Sequence, residues 1–325
     1  MKCVNGLSSE CLSGSLEEYR LMLKDIIAQN PSVTFLTAHE LSQTLINEEA
    51  NYCQIRHDVD ADIVSCLPMA EIEASLGIKS TYFLLHTSNY YGDFKLDLTN
   101  RVATFNRNEN MAELYLALQK LGHEVAVHTD PLYLYQNFNI DGAEALEKEI
   151  RWLRSLGLSI TGTAPHNNSD EYGASNSAIF INRDITTEKK AGAQGVIFNN
   201  KWAALARLDE AKLGLLYEAD DINSPTHNMC VDYLSPVAKD KWYRFFKTPE
   251  ILHWEKTGED PTGFGEANFW ELFSDIYTSE GDLTLRTSDI PHTFSQRSPK
   301  ISILSVHPEH FGFRSRESAM PILKG

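Results

Sequence analysis

Leu121-Gly122-His123-Glu124-Val125-Ala126-Val127-His128-Thr129-Asp130 contains a helix stop, a strand and a polar tip in one run. Gly122 closes an amphipathic stretch that begins at a cap near Asn108 and carries Met111, Leu114, Leu118 and Leu121 at helical spacing. Glycine there supplies the left-handed residue that ends a helix. The short apolar run after it fits a buried strand, and His128 and Asp130 terminate it. The unit recurs on both sides. Upstream, Ile63, Leu67, Ala70 and Ala74 lead to Leu76-Gly77 and then to Thr81-Tyr82-Phe83-Leu84-Leu85-His86. Pro68 requires that helix to begin near Ser65 or to kink. Downstream, Asp141 opens a helix through Ala143, Leu146, Ile150 and Leu153 to Leu156-Gly157, and Ile160 to Pro165 then runs into His166-Asn167. Helix, Leu-Gly, strand and polar tip in succession are βα repetition, whose right-handed crossovers make the strands parallel.

Two further segments end the same way, Cys53-Gln54-Ile55-Arg56-His57-Asp58-Val59-Asp60 and Ile301-Ser302-Ile303-Leu304-Ser305-Val306-His307-Pro308. Parallel strands all end on one side, so these tips are expected on one rim, where barrels keep their reacting groups. Before the first of these strands, Leu16 to Gln29 and Ala38 to Ile46 read as N-terminal helices. Residues 170–294 have weaker periodicity and many aromatics, and read as long loops or a cap near the rim. Gly195 to Phe198 and Leu213 to Tyr217 are candidates there for further barrel strands. No low-complexity tract or linker divides the chain, which reads as one domain over residues 1–325: helices to residue 50, a core over 51–170 and 295–312, and the divergent stretch between.

Composition narrows the function. A net charge of −16 without a dense basic run disfavours nucleic acid as a partner. The five cysteines are irregularly spaced with no C-x-x-C pair, which argues against a disulfide framework or a cysteine zinc knuckle. Early charged residues interrupt any signal core, and no 18-residue apolar run is present to span a membrane. These features read as a cytoplasmic protein. Oligomeric state is not legible.

The chemistry centres on the tips. In extended chain, residues i and i+2 point the same way, so Asp58 and Asp60 face one site. Two close carboxylates repel unless a cation or a shared proton separates them. One aspartate, Asp60 or Asp62, is alternatively a helix cap, which leaves the other unexplained. His128 ends a later strand and is a candidate ligand for one divalent ion, with zinc first and cobalt, manganese, iron or nickel as alternatives, and His166 ends another and is a further candidate at the same rim. His307 ends the last strand, where Pro308 stops pairing. Arg56, His57, His86, Asp130 and Asn167 are candidates for substrate binding or for supporting the ligands. His123, at the start of its strand, reads as structural.

The order His57-Asp58-Val59-Asp60, Ala70-Glu71-Ile72-Glu73-Ala74-Ser75-Leu76-Gly77-Ile78-Lys79-Ser80-Thr81-Tyr82-Phe83, Gly122-His123-Glu124-Val125-Ala126-Val127-His128 and Ile303-Leu304-Ser305-Val306-His307-Pro308-Glu309 resembles the NodB-like polysaccharide deacetylases, in particular a cytoplasmic branch with an HDVD first motif. The resemblance covers residues 50–170 and 300–310. It implies an α/β fold, a distorted (β/α) barrel of about seven parallel strands, that holds one divalent metal and removes acetyl from an N-acetyl sugar. It makes Asp58 the base and Asp60 a ligand, with the reverse left open by the valine between them. His128 matches the first histidine of the family's second motif, Leu132 stands at the second, and His166 is the proposed replacement. His307 matches the general acid. The third-motif arginine has no counterpart beside Pro165, and Arg56 is the substitute. Asp220, or Asp221, stands for a later acidic residue.

The expected activity is therefore metal-dependent deacetylation of an N-acetylated sugar or saccharide precursor of a surface polysaccharide. Alternatives are hydrolysis of another amide, C–N or ester bond, and a catalytically inactive sugar-binding barrel. A glycosidase is disfavoured, because Asp58 and Asp60 share one tip whereas glycosidic carboxylates flank the bond, about 5–10 Å apart.

Overall fold

The structure is a computed structural model that describes residues 9–29, 31–45, 50–97, 99, 102–166, 175–181, 195–198, 201–204, 207–219, 228–235, 242–245, 284–286 and 301–308. In chain order its elements are α1 (Ser9–Gln29), β1 (Val33–Phe35), α2 (Ala38–Gln43), β2 (Asn51–Val59), α3 (Cys66–Ser75), β3 (Ser80–Leu85), β4 (Gly92–Asp97), β5 (Val102–Arg107), α4 (Ala112–Lys120), β6 (Glu124–Thr129), α5 (Pro131–Phe138), α6 (Gly142–Ser155), β7 (Gly162–Pro165), β8 (Gly195–Phe198), β9 (Lys201–Ala204), β10 (Tyr217–Glu218), β11 (Asn228–Ser235), β12 (Trp242–Phe245), β13 (Thr284–Arg286) and β14 (Ile301–Val306). The fold is mixed α/β with parallel strands. Among the described residues, no helix is long and apolar enough to cross a membrane.

The helix stops behave as the sequence dictates. Gly77, Gly122 and Gly157 have φ of +72°, +96° and +96°, a left-handed conformation in which a Cβ would be strained. Asp141 caps α6 by accepting from the backbone N–H groups of Ala143 and Glu144. Pro68 falls in the first turn of α3, where a missing N–H costs no helical bond.

By contacts the chain divides into two compact units, Met1–His57 with Asp62–Thr81 and Asn223–Gly325, and Asp58–Ala61 with Tyr82–Ile222. In the first, β1 pairs parallel with β2, β2 with β14, and β14 with β11. Helix α1 lies on this unit's core. Its Tyr19, Met22, Leu23 and Ile26 recur at helical spacing and are buried with Cys53, Ile55, Met69, Ile78, Leu304 and Val306. In the second, β10 pairs parallel with β7 and β7 with β6, and β3 lies beside β6.

Several expectations need correction. Gly195–Phe198 is a strand, but it pairs antiparallel with β9 in a two-stranded ribbon and not in the parallel sheet. Leu213 ends a helical turn, Glu210–Leu213, because Asp209 caps it and Gly214 stops it at φ +65°; only Tyr217–Glu218 joins the sheet. Parts of the stretch read as loops are strands: β11 is parallel to β14, and β12 and β13 follow antiparallel. Val231, Tyr233, Trp242, Tyr243 and Phe245 are residue types that suit strands. The hairpin β4–β5 and the helix α5 were not anticipated. Pro131 opens α5 with a preset φ, and Asn139 closes it in the left-handed region.

The first unit buries a carboxylate. Glu73, on α3, accepts hydrogen bonds from the Tyr19 hydroxyl, from His57 Nε2–H at 2.6 Å and from the Ser80 hydroxyl at 2.5 Å. All four residues are inaccessible to solvent. The network ties α1, β2, α3 and β3 to one acceptor, and a buried carboxylate is tolerable only with such donors. Replacing Glu73 by Ala removes the shared acceptor, and a loss of about 3–5 kcal/mol in unfolding free energy is expected from urea denaturation.

Candidate metal centre

The site lies wholly within the second unit, at the ends of β2, β6 and β7. The β2 tip is held from the loop that follows β3: the Tyr90 hydroxyl donates to Val59 O at 2.7 Å and the Ser88 hydroxyl to Asp60 O at 2.6 Å. With this backbone fixed, Asp58 and Asp60 project from alternate positions of one extended segment. His57, just before them, is the buried partner of Glu73 described above.

His128 ends β6, and its ring orientation is set by a neighbour. Nδ1–H donates to Ala164 O at 3.0 Å, which leaves the Nε2 lone pair toward the carboxylates. Nε2 is 3.4 Å from Asp60 Oδ1 and 3.9 Å from Asp58 Oδ2. His166 follows β7, anchored by its own N–H to Thr129 O at 2.9 Å. Its Nε2 is 3.8 Å from Asp60 Oδ2, and its ring stands edge-on to His128 with centroids 5.2 Å apart.

These separations discriminate between a hydrogen-bonded cluster and a cation site. Direct charge-assisted bonds would bring the atoms to about 2.7–2.9 Å. A tetrahedral ion with ligands at 2.0–2.2 Å holds them about 3.3–3.6 Å apart. The Asp60–His128 and Asp60–His166 separations, 3.4 and 3.8 Å, lie near the second pattern, and one ligand atom from each of the three residues lies within 4.8 Å of the others. Two nitrogens and one carboxylate oxygen suit zinc and its first-row neighbours, and three protein ligands leave a coordination position open.

Asp130 organises the far side of His166. Its Oδ2 lies 3.4 Å from His166 Nδ1 and accepts from the Thr87 hydroxyl at 3.0 Å, while Oδ1 accepts from Asn176 Nδ2 at 3.1 Å. The Asp130 N–H donates to His86 Nε2 at 2.9 Å. A carboxylate 3.4 Å behind the second ring nitrogen favours the proton on Nδ1 electrostatically, the tautomer that offers Nε2 to a metal, without closing a hydrogen bond. Burial disfavours a charged His166 ring, but Asp130, Asp60 and Asp58 outweigh it and raise its proton affinity. The pocket thus draws positive charge, which either a proton or a metal ion supplies. His86 is the opposite case: burial pushes its pKa down to about 4 against the pull of Asp130 and Glu149, so the ring is neutral.

Of the residues singled out from sequence, Asp58, Asp60, His128, His166, His86 and Asp130 come together here. Leu132 is fully buried in α5, and its N–H donates to Asn176 Oδ1 at 3.0 Å. Arg56 is buried on β2 opposite Ser305 of β14, and His57 and His307 also belong to the first unit, His307 half-buried just past β14. His123 packs edge-on against Tyr82 at the start of β6, away from the tips. Asn167 and Asp220 lie outside the described residues, as does Asp221. Asn176 and Thr87 escaped the sequence reading, because neither stands at the end of an apolar run and their part emerges only through Asp130.

Replacing Asp130 by Asn is expected to weaken zinc binding on the order of 10–100-fold in isothermal titration, with the fold unchanged by circular dichroism. Comparison of the chain with protein-family models, with characterised proteins and with solved structures finds no match.

Proposed function

We propose that the chain is a metal-dependent hydrolase that removes acetyl from an N-acetylated sugar or saccharide precursor. The carrying observation is the convergence of Asp60, His128 and His166, from strand ends far apart in sequence, with Asp58 beside them. In this reading the parallel strands belong to a distorted (β/α) barrel of the NodB-like kind, and His166 serves as the ligand where Leu132 replaces the second-motif histidine.

A divalent ion bound there would polarise a substrate carbonyl and lower the pKa of a coordinated water toward neutrality. Asp60, His128 and His166 would hold the ion, with the Ala164 carbonyl bonded to one ring and the Asp130 carboxylate behind the other. Asp58, buried and 3.9 Å from His128 Nε2, is the carboxylate placed to take a proton from the attacking water. His307 is assigned the protonation of the leaving amine, on the resemblance of its motif alone. The same apparatus would act on any activated carbonyl, so the acetamido sugar is chosen by the resemblance of the four ordered motifs and not by the fold.

Two outcomes are expected. Asp60→Ala and His128→Ala each lose the single equivalent of metal that the purified protein binds, measured by plasma emission spectrometry; retention by both variants would remove the site. Asp58→Asn keeps its metal and loses acetate release on the order of 10²–10⁴-fold, assayed on N-acetyl sugars and nucleotide-linked N-acetyl sugars with zinc, cobalt, manganese, iron or nickel. Unchanged turnover in that variant would reassign the base. An absence of acetate release from every substrate, with metal bound, would favour the binding role.

A further inference from the structure

The second unit has a cavity of about 350 Å³ between the β4–β5 hairpin and helices α5 and α6, none of whose lining residues is a proposed metal ligand. Phe94 and Phe105 form an aromatic wall, their centroids 4.7 Å apart, and Leu134 and Ile140 add aliphatic surface. Of the charged groups that line it, Asp141 caps α6 through the Ala143 and Glu144 N–H groups and the other four form two ion pairs. Arg107 donates from Nε and Nη2 to the two oxygens of Glu149 at 2.7 and 2.5 Å and lies 4.3 Å from the Trp152 ring, which fixes its plane. Lys148 pairs with Glu144 at 2.5 Å.

His86 supplies the polar group that these pairs do not explain. Only 2% exposed, it lines the cavity, and its Nε2 is committed as acceptor of the Asp130 N–H. The neutral ring therefore carries its proton on Nδ1. Among the described residues, Nδ1–H has no hydrogen-bond partner. A donor on a buried side chain that lines a cavity requires an acceptor from whatever fills it.

We infer that this cavity is a second ligand site, for a small neutral hydroxylated ring, separate from the metal centre. An ion of either sign bound against the inner wall would have to compete with the Arg107–Glu149 pair and leave one of its partners partly desolvated. A neutral ring makes no such demand. Its C–H face covers Phe94 and Phe105, its hydroxyls use the Arg107 N–H groups and Glu149 lone pairs that the bidentate pair leaves over, and one oxygen accepts from His86 Nδ1–H. The volume lies at the small end of ligand pockets, which matches a single ring. His86 also joins the occupant to Asp130, and Asp130 to His166. The site stands whether or not the metal centre is catalytic.

The test uses saturation-transfer NMR on the full chain with glucose, galactose, mannose and N-acetylglucosamine as neutral probes, glucosamine as cation and glucuronate as anion. At least one neutral probe should bind, and Ala145→Trp, which fills the cavity from α6, should weaken it tenfold or more. Phe94→Ala, on the hairpin, should weaken it about as much and serves if the larger side chain prevents folding. Binding should survive EDTA and the Asp60→Ala substitution. No binding by any neutral probe, binding by the charged probes alone, or equal binding in both folded cavity variants would overturn the proposal. Loss of binding with EDTA or in Asp60→Ala would place the sugar at the metal centre and overturn it also.

Discussion

Three carboxylates, Asp58, Asp60 and Asp130, stand around two imidazoles in a largely buried part of the second unit. Negative charge at that density is costly away from water, and it raises the proton affinity of His166 even though burial opposes this. The spacing of the ligand atoms, wider than direct hydrogen bonds and close to the edges of a small coordination polyhedron, is the geometric side of the same constraint. Nothing in the site is explained by packing alone, because aliphatic residues at these strand ends would bury more cheaply.

The site is precise because its supports are backbone groups and short side chains. Ala164 O fixes one ring; Asp130, itself held by Thr87 and Asn176, stands behind the other. The neutral ring of His86 extends this chain of contacts from Asp130 to the cavity beside α6. Long, flexible side chains would lose more rotamer entropy in the same roles. A ligand in that cavity would therefore press on the hydrogen bonds that hold Asp130 behind His166, so the geometry allows the two sites to be coupled.

The first unit solves a different problem with similar means. Glu73 is buried without solvent and gathers donors from α1, β2 and β3, while aliphatic side chains of α1 cover the surrounding core. His57 thus serves Glu73, and its neighbours Asp58 and Asp60 line the candidate metal centre. Side chains alternate along an extended chain, so consecutive residues of one motif can do unrelated work.

That division marks what was legible. The three Leu-Gly stops, the parallel strands that follow them and the polar tips could be read directly, because left-handed glycines and apolar periodicity are local properties of the chain. That Asp58, Asp60, His128 and His166 share a side was legible too, since tips of parallel strands end together, whereas singling out Asp60 and His166 as ligands rested on the family resemblance. Local signals did not reveal the β4–β5 hairpin, the helix behind Pro131 or the strands β11 to β13, which join β14 and one another partly through distant pairings. The role of Asn176 and the inward turn of His57 were equally hidden. Sequence alone determined which groups carry charge and which residues must end helices, through chemistry that each residue holds by itself. Tertiary structure alone decided which nitrogen of each ring is turned toward the carboxylates, and which carboxylate faces it, because both follow from contacts between segments that the chain order does not bring together.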